Sequence, residues 1–404
     1  MMVRNFFYST VSAGAAALLL LLYVAAARLL GSVDELGKFS FALLLGGVFE
    51  TLMDFGLHQV TIRAVARDPS RASALLRHAL AIKMIWASAA LAILVVTANV
   101  LRPQADVRFA CYLIGGSLVF RSYMLTIRGV LQGLEHFGWD AVVVLADRLL
   151  LLGCGLWALW MGTGLRGLAI AFVVARGTAL AIAAVVTELR LGGVGFRYDA
   201  DVWRDLHRTA LPLGFFLVVL NLYSYVDGVM LGYLRTDAET GLYAVAYRIY
   251  EGFTYGALAL SAVLTPRLSA LFVTDRAQHR QLAVGGVVGA SALGAAIAAV
   301  GFAVATPLLA FLFGAQYDAA TPAFRILCVG LPVVFGIWIL HAVAISVDRE
   351  RLLLQTGLIG LAVNVGLNLY VIPHYGPRGA AFATVVGEVV SMAALIAGLR
   401  SVDR

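Results

Sequence analysis

The residues able to do chemistry in this chain are ionisable groups set inside long apolar runs. Glu50 and Asp54 are four residues apart and share a helix face. Arg121 and Arg128 lie two turns apart on one side of a later run, Asp147 and Arg148 are adjacent, and Arg176 stands in the run after them. Further along come Asp227, Arg248 with Glu251, Arg325 and Glu388. An ionisable group at mid-bilayer costs about 2.5–3.5 kcal/mol on insertion scales, so such groups face a cavity or a partner. A guanidinium offers phosphate oxygens a planar donor fork and keeps its charge when desolvated. A buried carboxylate can load and release a proton during a cycle.

Two readings of these charges stand side by side. In the first they pair inside the helical bundle and fix its packing. In the second, arginines line a hydrated cavity that holds an anionic head group, and acids take up H⁺ or Na⁺. The second makes Arg121, Arg148, Arg176 and Arg248 candidate substrate contacts, and Glu50, Asp54, Asp227, Glu251 and Glu388 candidate ion-coupling groups. Lys83 lies near a helix end, where a lysine is expected to snorkel to the interface.

The elements that position these groups follow from hydropathy. Of 404 residues 61% are hydrophobic and 13% charged, against about 25% charged in a soluble domain. Apolar runs of about 20 residues cross about 30 Å of hydrocarbon as helices, because in lipid the backbone must satisfy its own hydrogen bonds. Twelve such spans are expected: 10–30, 39–60, 78–101, 110–131, 139–161, 168–187, 209–234, 242–266, 282–305, 324–347, 352–372 and 380–399. A short apolar piece over 307–313 is too brief to cross. The N-terminus imitates a signal peptide, with Ala25-Ala26-Ala27 resembling a cleavage site, but its apolar stretch exceeds an h-region of about 7–15 residues and reads as an uncleaved first helix.

An even span count puts both termini on one side. The loops there hold most of the arginines, among them Arg63, Arg67, Arg71, Arg77, Arg190, Arg197, Arg204, Arg208, Arg276 and Arg280. The positive-inside rule makes that side, and both termini, cytoplasmic. It also explains the +7 net charge without nucleic acid, since the basic residues are spread through loops. Segment 188–208 reads as a cytoplasmic linker between lobes 1–187 and 209–404, and no loop is large enough for a catalytic domain.

The two halves repeat. Gly164-Leu165-Arg166-Gly167 and Gly376-Pro377-Arg378-Gly379 precede the sixth and twelfth spans at a separation of 212 residues. Glu35, Gly37, Phe39 and Ala42 match Glu239, Gly241, Tyr243 and Ala246 at 204. With six spans each, the copies share one orientation and form parallel repeats, a transporter architecture. The fold class is therefore an all-α polytopic membrane protein of about twelve transmembrane helices, in two six-helix lobes around a central cavity.

Other motifs are weaker. Asp199-Ala200-Asp201 imitates an acidic metal motif, but Asp201 reads as the cap of a helix starting at Val202. His341 reads as a satisfied bundle residue. Asn364 and Asn368 share a face and are expected to hydrogen-bond between helices. Tyr223, Tyr225, Tyr243, Tyr247 and Tyr250 suit interfacial anchoring or stacking on sugar rings. Cys111, Cys154 and Cys328 fall in apolar runs and read as small buried hydrophobes. No catalytic group, metal site or cofactor is expected.

The chain resembles the polysaccharide flippase branch of the multidrug/oligosaccharidyl-lipid/polysaccharide exporter superfamily. The first half carries the likeness in Leu29-Leu30-Gly31, Gly37-Lys38-Phe39-Ser40 and Asp54-Phe55-Gly56-Leu57 followed by Arg63 and Ala66-Arg67. The second half carries it in Leu222-Tyr223-Ser224-Tyr225-Val226-Asp227-Gly228, Gly241-Leu242-Tyr243-Ala244, Leu312-Phe313-Gly314 and Asn368-Leu369-Tyr370 through Gly379-Ala380-Ala381. The resemblance implies a V of two lobes that opens alternately to each side. It also implies transfer of an undecaprenyl-diphosphate-linked oligosaccharide to the periplasmic leaflet, driven by an ion gradient, with Arg28 and Arg248 matching the family's diphosphate arginines. Polysaccharide polymerase and glycosyltransferases are the expected partners besides substrate, coupling ion and lipids. A cation-coupled multidrug exporter of the same superfamily is the alternative, disfavoured by the intramembrane arginines. A polytopic glycosyltransferase or polymerase is disfavoured by the short outward loops.

Overall fold

The computed structural model describes Gly14, residues 16–192 and residues 195–400. Residues 1–13, and with them Arg4 and the start of the expected first span, lie outside the described residues, as do residues 193 and 194 of the expected linker and residues 401–404. The N-terminal helices are α1 (Ala16–Leu29), α2 (Val33–Asp54), α3 (Leu57–Arg67), α4 (Ala72–Leu101), α5 (Ala105–Gly133), α6 (Phe137–Trp160) and α7 (Gly164–Leu191). They are followed by α8 (Ala200–Leu234), α9 (Asp237–Thr274), α10 (Arg276–Ala303) and the short α11 (Ala305–Phe313). The chain continues through α12 (Thr321–Ser346), α13 (Glu350–Tyr375) and α14 (Pro377–Arg400). No strand occurs among the described residues. There, 11 helices are long and apolar enough to cross a membrane, and α1, described only in part, is a shorter apolar helix. The stretch over 307–313 is indeed a separate nine-residue helix.

Local chemistry explains where the helices stop. The expected span 39–60 is broken after Asp54, because Phe55 (φ 44°) and Gly56 (φ 79°) both adopt left-handed backbone. Gly56 faces Gly214 at close range: a Cβ on Gly214 would lie 2.4 Å from the Phe55 carbonyl oxygen, so only hydrogen fits. The Ala25–Ala27 stretch lies inside α1, with Ala26 and Ala27 packed away. Helix α8 begins within the expected linker, and its cap is Asp199 rather than Asp201. Asp199 Oδ1 accepts from the amides of Asp201 (3.0 Å) and Val202 (3.3 Å). Those amides hold its carboxyl below the usual carboxylate range.

The chain separates into two compact units, Met1–Asn221 and Leu222–Arg404, with the division inside α8. In the first unit α5 is the hub, packing on α2, α3, α4 and α7, while α6 leans on α7 and touches α5 only lightly. In the second unit α12 is the hub, packing on α9, α10 and α14, while α13 pairs with α14. Each hub is the fourth span of its half, as a sequence repeat requires. The repeated loops agree in conformation as well. Ser32 and Thr236 are N-caps whose hydroxyls accept from the Glu35 and Glu239 amides, both at 3.2 Å, and Gly164 (φ 62°) and Gly376 (φ 53°) turn the chain at the mouths of α7 and α14.

Candidate functional site

In the N-terminal unit the buried charges are ordered into pairs. Lys83 is fully buried and does not snorkel; its ammonium donates to Asp54 Oδ1 (2.6 Å) and to the Ser122 carbonyl (2.7 Å). The helix break after Asp54 also lets the other carboxylate oxygen accept from the His58 amide. One turn before Asp54, Glu50 Oε2 accepts from Arg121 at 2.6 Å. Arg128 donates to both oxygens of Asp140, at 2.6 and 3.4 Å, and Gln132 adds a third hydrogen bond there. Asp147 lies between Arg148 (3.1 Å) and Arg176 (3.9 Å), and Arg176 donates to the Ser117 hydroxyl at 2.9 Å.

Within this set five cations, Lys83, Arg121, Arg128, Arg148 and Arg176, meet four carboxylates, Glu50, Asp54, Asp140 and Asp147. One positive charge is left over. A partly open crevice lies here, lined by Arg121, Arg128, Asp147 and Arg148 with Met124, Leu125, Val143 and Val144.

The C-terminal unit is built the other way. Asp227 is buried, and its Oδ2 accepts from the hydroxyls of Tyr243 (2.9 Å) and Thr384. Glu388, also buried, accepts from the Tyr250 hydroxyl. Neither acid has a cation within ion-pair distance among the described residues. Asp227 Oδ1, Glu388 Oε2, Asn368 Oδ1, Asn364 Nδ2 and the Tyr223 hydroxyl are buried with no hydrogen-bond partner among the described residues. Asn364 and Asn368 bond to each other along α13 at 3.0 Å, not across to another helix. Gly330 makes room for the acid, since a Cβ there would come within 2.9 Å of Glu388 Oε2.

The remaining candidates are less enclosed. Arg28 is exposed at the end of α1. Arg248 is half-buried and pairs with Glu251 one turn on, at 2.7 Å. Arg325 stacks over Phe302. His341 packs edge-on against Trp338. Cys111 and Cys328 are buried and Cys154 half-buried. Among the described residues no cluster of His, Cys, Asp and Glu is arranged to hold a metal ion.

The repeat register connects the two units residue by residue. Arg176 and Glu388 stand 212 positions apart, the separation of the matching Gly-X-Arg-Gly motifs, so one site carries opposite charge in the two copies. Tyr23 and Phe39 match Asp227 and Tyr243 at 204, and Phe172 matches Thr384 at 212. In the first unit Tyr23 stacks on Phe39, Phe172 meets Phe39 edge-on, and Tyr23 is bonded to Ser40. In the second the same three positions hold a carboxylate with two hydroxyl donors. Sequence reading isolated Asp227, but it missed Thr384 and the Asp54–Lys83 partnership. The repeat offset was the available signal for Thr384.

Known proteins place this architecture. The model of the polysaccharide biosynthesis protein family matches residues 2–272. A probable low-salt glycan biosynthesis flippase of Haloferax volcanii, Agl15, is 23% identical over 376 residues, 90% of this chain and 76% of that protein. A probable flippase of the same organism, AglR, is 28% identical over 188 residues, 43% of this chain, and the match spans 38% of that relative's length. Among solved structures, an inward-facing multidrug resistance MATE family transporter of the MOP superfamily superposes with a TM-score of 0.76 at 15% identity, over 95% of this chain and 94% of that one. Lipid II flippase MurJ, in an inward closed conformation, gives a TM-score of 0.75 at 13% identity, over 98% and 87%. At such identities the structures establish the fold alone. With well over half of its length matched by the family model, this multi-pass membrane protein belongs to the polysaccharide biosynthesis protein family and has the helical fold of MOP-superfamily transporters.

Proposed function

We propose that the chain is a flippase. Its substrate is a polyprenyl-diphosphate-linked oligosaccharide, undecaprenyl-linked in a bacterial inner membrane, moved from the cytoplasmic to the outer leaflet by alternating access. The single observation that carries this reading is the opposite charge of the two buried polar centres. One unit holds a surplus guanidinium charge suited to phosphate, and the other holds uncompensated carboxyl groups suited to a driving cation. Family membership and the names of the Haloferax volcanii relatives agree with a glycan cargo. Substrate contacts are drawn from Arg28, Arg121, Arg148, Arg176 and Arg248.

Coupling to H⁺ or Na⁺ centres on Asp227 and Glu388. Glu50, Asp54 and Glu251 are each held by a cation and would join only if those pairs open. The reading also places both termini in the cytoplasm, in keeping with the arginine-rich loops.

Complementation of a strain lacking its polysaccharide flippase tests the proposal. The wild-type gene restores surface glycan, and Arg121→Ala and Arg248→Ala abolish restoration at normal membrane abundance. Arg→Lys at either position restores it only partly, because an ammonium lacks the bidentate fork. Full complementation by both alanine variants would sink the reading.

A further inference from the structure

The cavity beside α5 and α6 lies wholly within the N-terminal unit, and pairing explains only part of its lining. Arg121 and Arg128 each have a carboxylate of their own, Glu50 and Asp140. Arg148 does not. Its one ionic contact among the described residues, Asp147, is shared with Arg176, and the 3.1 Å approach lacks hydrogen-bond geometry. Arg148 Nη1 is therefore buried without a hydrogen-bond partner among the described residues, as are Asp147 Oδ1 and Arg176 Nε. Leaving such a donor unsatisfied costs about 1–3 kcal/mol, and more when it is charged. A structure that only needed to neutralise Asp147 had no use for a second guanidinium beside it.

The space itself has a cause. Helices α5 and α6 are consecutive, yet each packs mainly on other helices and they touch each other lightly. The splay leaves a partly open crevice between them, lined by Arg121, Arg128 and Arg148 and completed by Met124, Leu125, Val143 and Val144. The ion pairs around it hold one more cation than carboxylates, a balance that favours an anion here.

We infer that this crevice is an anion site for a phosphate or diphosphate ester, with Arg148 as its principal donor, Arg121 and Arg128 flanking it, and the apolar wall receiving the first carbons of the ester chain. Assigning the ester to the transported lipid rests on the flippase reading; the anion site does not. Asp147 acts as a positioning residue that holds the Arg148 side chain and competes with the ligand for it.

Equilibrium binding to the purified full chain in detergent tests the inference, with farnesyl diphosphate, inorganic pyrophosphate and farnesol as probes. Farnesyl diphosphate is expected to bind and farnesol not to bind. Arg148→Ala is expected to weaken binding at least tenfold, and Arg148→Lys by less. Asp147→Asn is expected to tighten it a few-fold, a change that a purely structural Asp147 would not produce. Size-exclusion profiles matching the wild type establish that the variants fold. Unchanged affinity in Arg148→Ala, or no binding of either phosphate probe, overturns the site. Equal affinity for pyrophosphate and farnesyl diphosphate overturns the role of the apolar wall. If binding behaves as expected while no variant impairs complementation, the flippase reading fails and the anion site stands.

Discussion

The two hub helices hold equivalent places in their units and bring different chemistry to them. In the N-terminal unit α5 presents Arg121, Ser122 and Arg128, and every buried acid around it meets a cation. In the C-terminal unit α12 presents Gly330, whose missing side chain accommodates a carboxyl group that accepts from a tyrosine hydroxyl and meets no cation among the described residues. One ancestral packing scheme has thus been filled twice, once with compensated ion pairs plus a spare guanidinium, once with acids held by hydroxyls. Breaking a buried ion pair by removing one partner costs about 3–5 kcal/mol, because the survivor keeps its charge without water. An acid hydrogen-bonded by hydroxyls loses little when its charge alone is removed.

The same chemical change should therefore have unequal results in the two units, and this is the largest expected effect. Asp54→Asn keeps an oxygen for Lys83 but removes the charge that compensates the buried ammonium, and should lower stability by about 3–5 kcal/mol. Asp227→Asn keeps an oxygen to accept from Tyr243 and Thr384, and should change stability by less than about 1 kcal/mol while abolishing complementation. Unfolding of both variants in detergent measures the contrast. Equal losses would show that the C-terminal acid depends on a cation as the N-terminal acid does.

A smaller effect distinguishes the aromatic stack from its acidic counterpart. Thr384→Val preserves shape but removes a hydroxyl that donates to buried Asp227, and should cost about 1–3 kcal/mol. At the matching position, Phe172→Leu trades one apolar group for a smaller one against Phe39 and should cost less than about 1.5 kcal/mol. Thermal unfolding of the two single variants ranks them, and a reversed order would mean that Thr384 contributes packing rather than a hydrogen bond.

Much of this organisation was legible in the chain itself, and what escaped did so for physical reasons. Hydropathy located the spans because a bilayer demands length and apolarity of every crossing helix. It could not locate the break at Phe55 and Gly56, which comes from left-handed backbone and the tight approach of Gly214. The intramembrane charges stood out individually, but their partners did not. Lys83 and Asp54 are 29 residues apart on different helices, so nothing in the local pattern distinguishes a buried lysine from a snorkelling one. The cap of α8 was misassigned by two residues because Asp199 and Asp201 both fit the cap preference, and only backbone geometry selects Asp199. The sign reversal between Arg176 and Glu388 was written in the repeat offset all along, and became meaningful only once each was seen buried in its own unit.

The smallest expected effect concerns the loops that the two units build alike. Ser32 caps α2 by accepting from the Glu35 amide, and Lys38 holds Glu35 from the side at 2.8 Å. Thr236 caps α9 in the same way, but here the box is reciprocal: Glu239 accepts from the Thr236 amide and is also gripped by Arg235, which reaches the Pro373 carbonyl as well. Removing an N-cap hydroxyl costs about 1 kcal/mol where nothing else changes. Ser32→Ala should show that cost. Thr236→Ala should show somewhat more, since its hydroxyl also contacts Glu239 Oε2 and losing it loosens the carboxylate that Arg235 grips. Unfolding in detergent resolves the two values, and a Ser32→Ala loss larger than that of Thr236→Ala would mean that the reciprocal box adds nothing beyond a single cap.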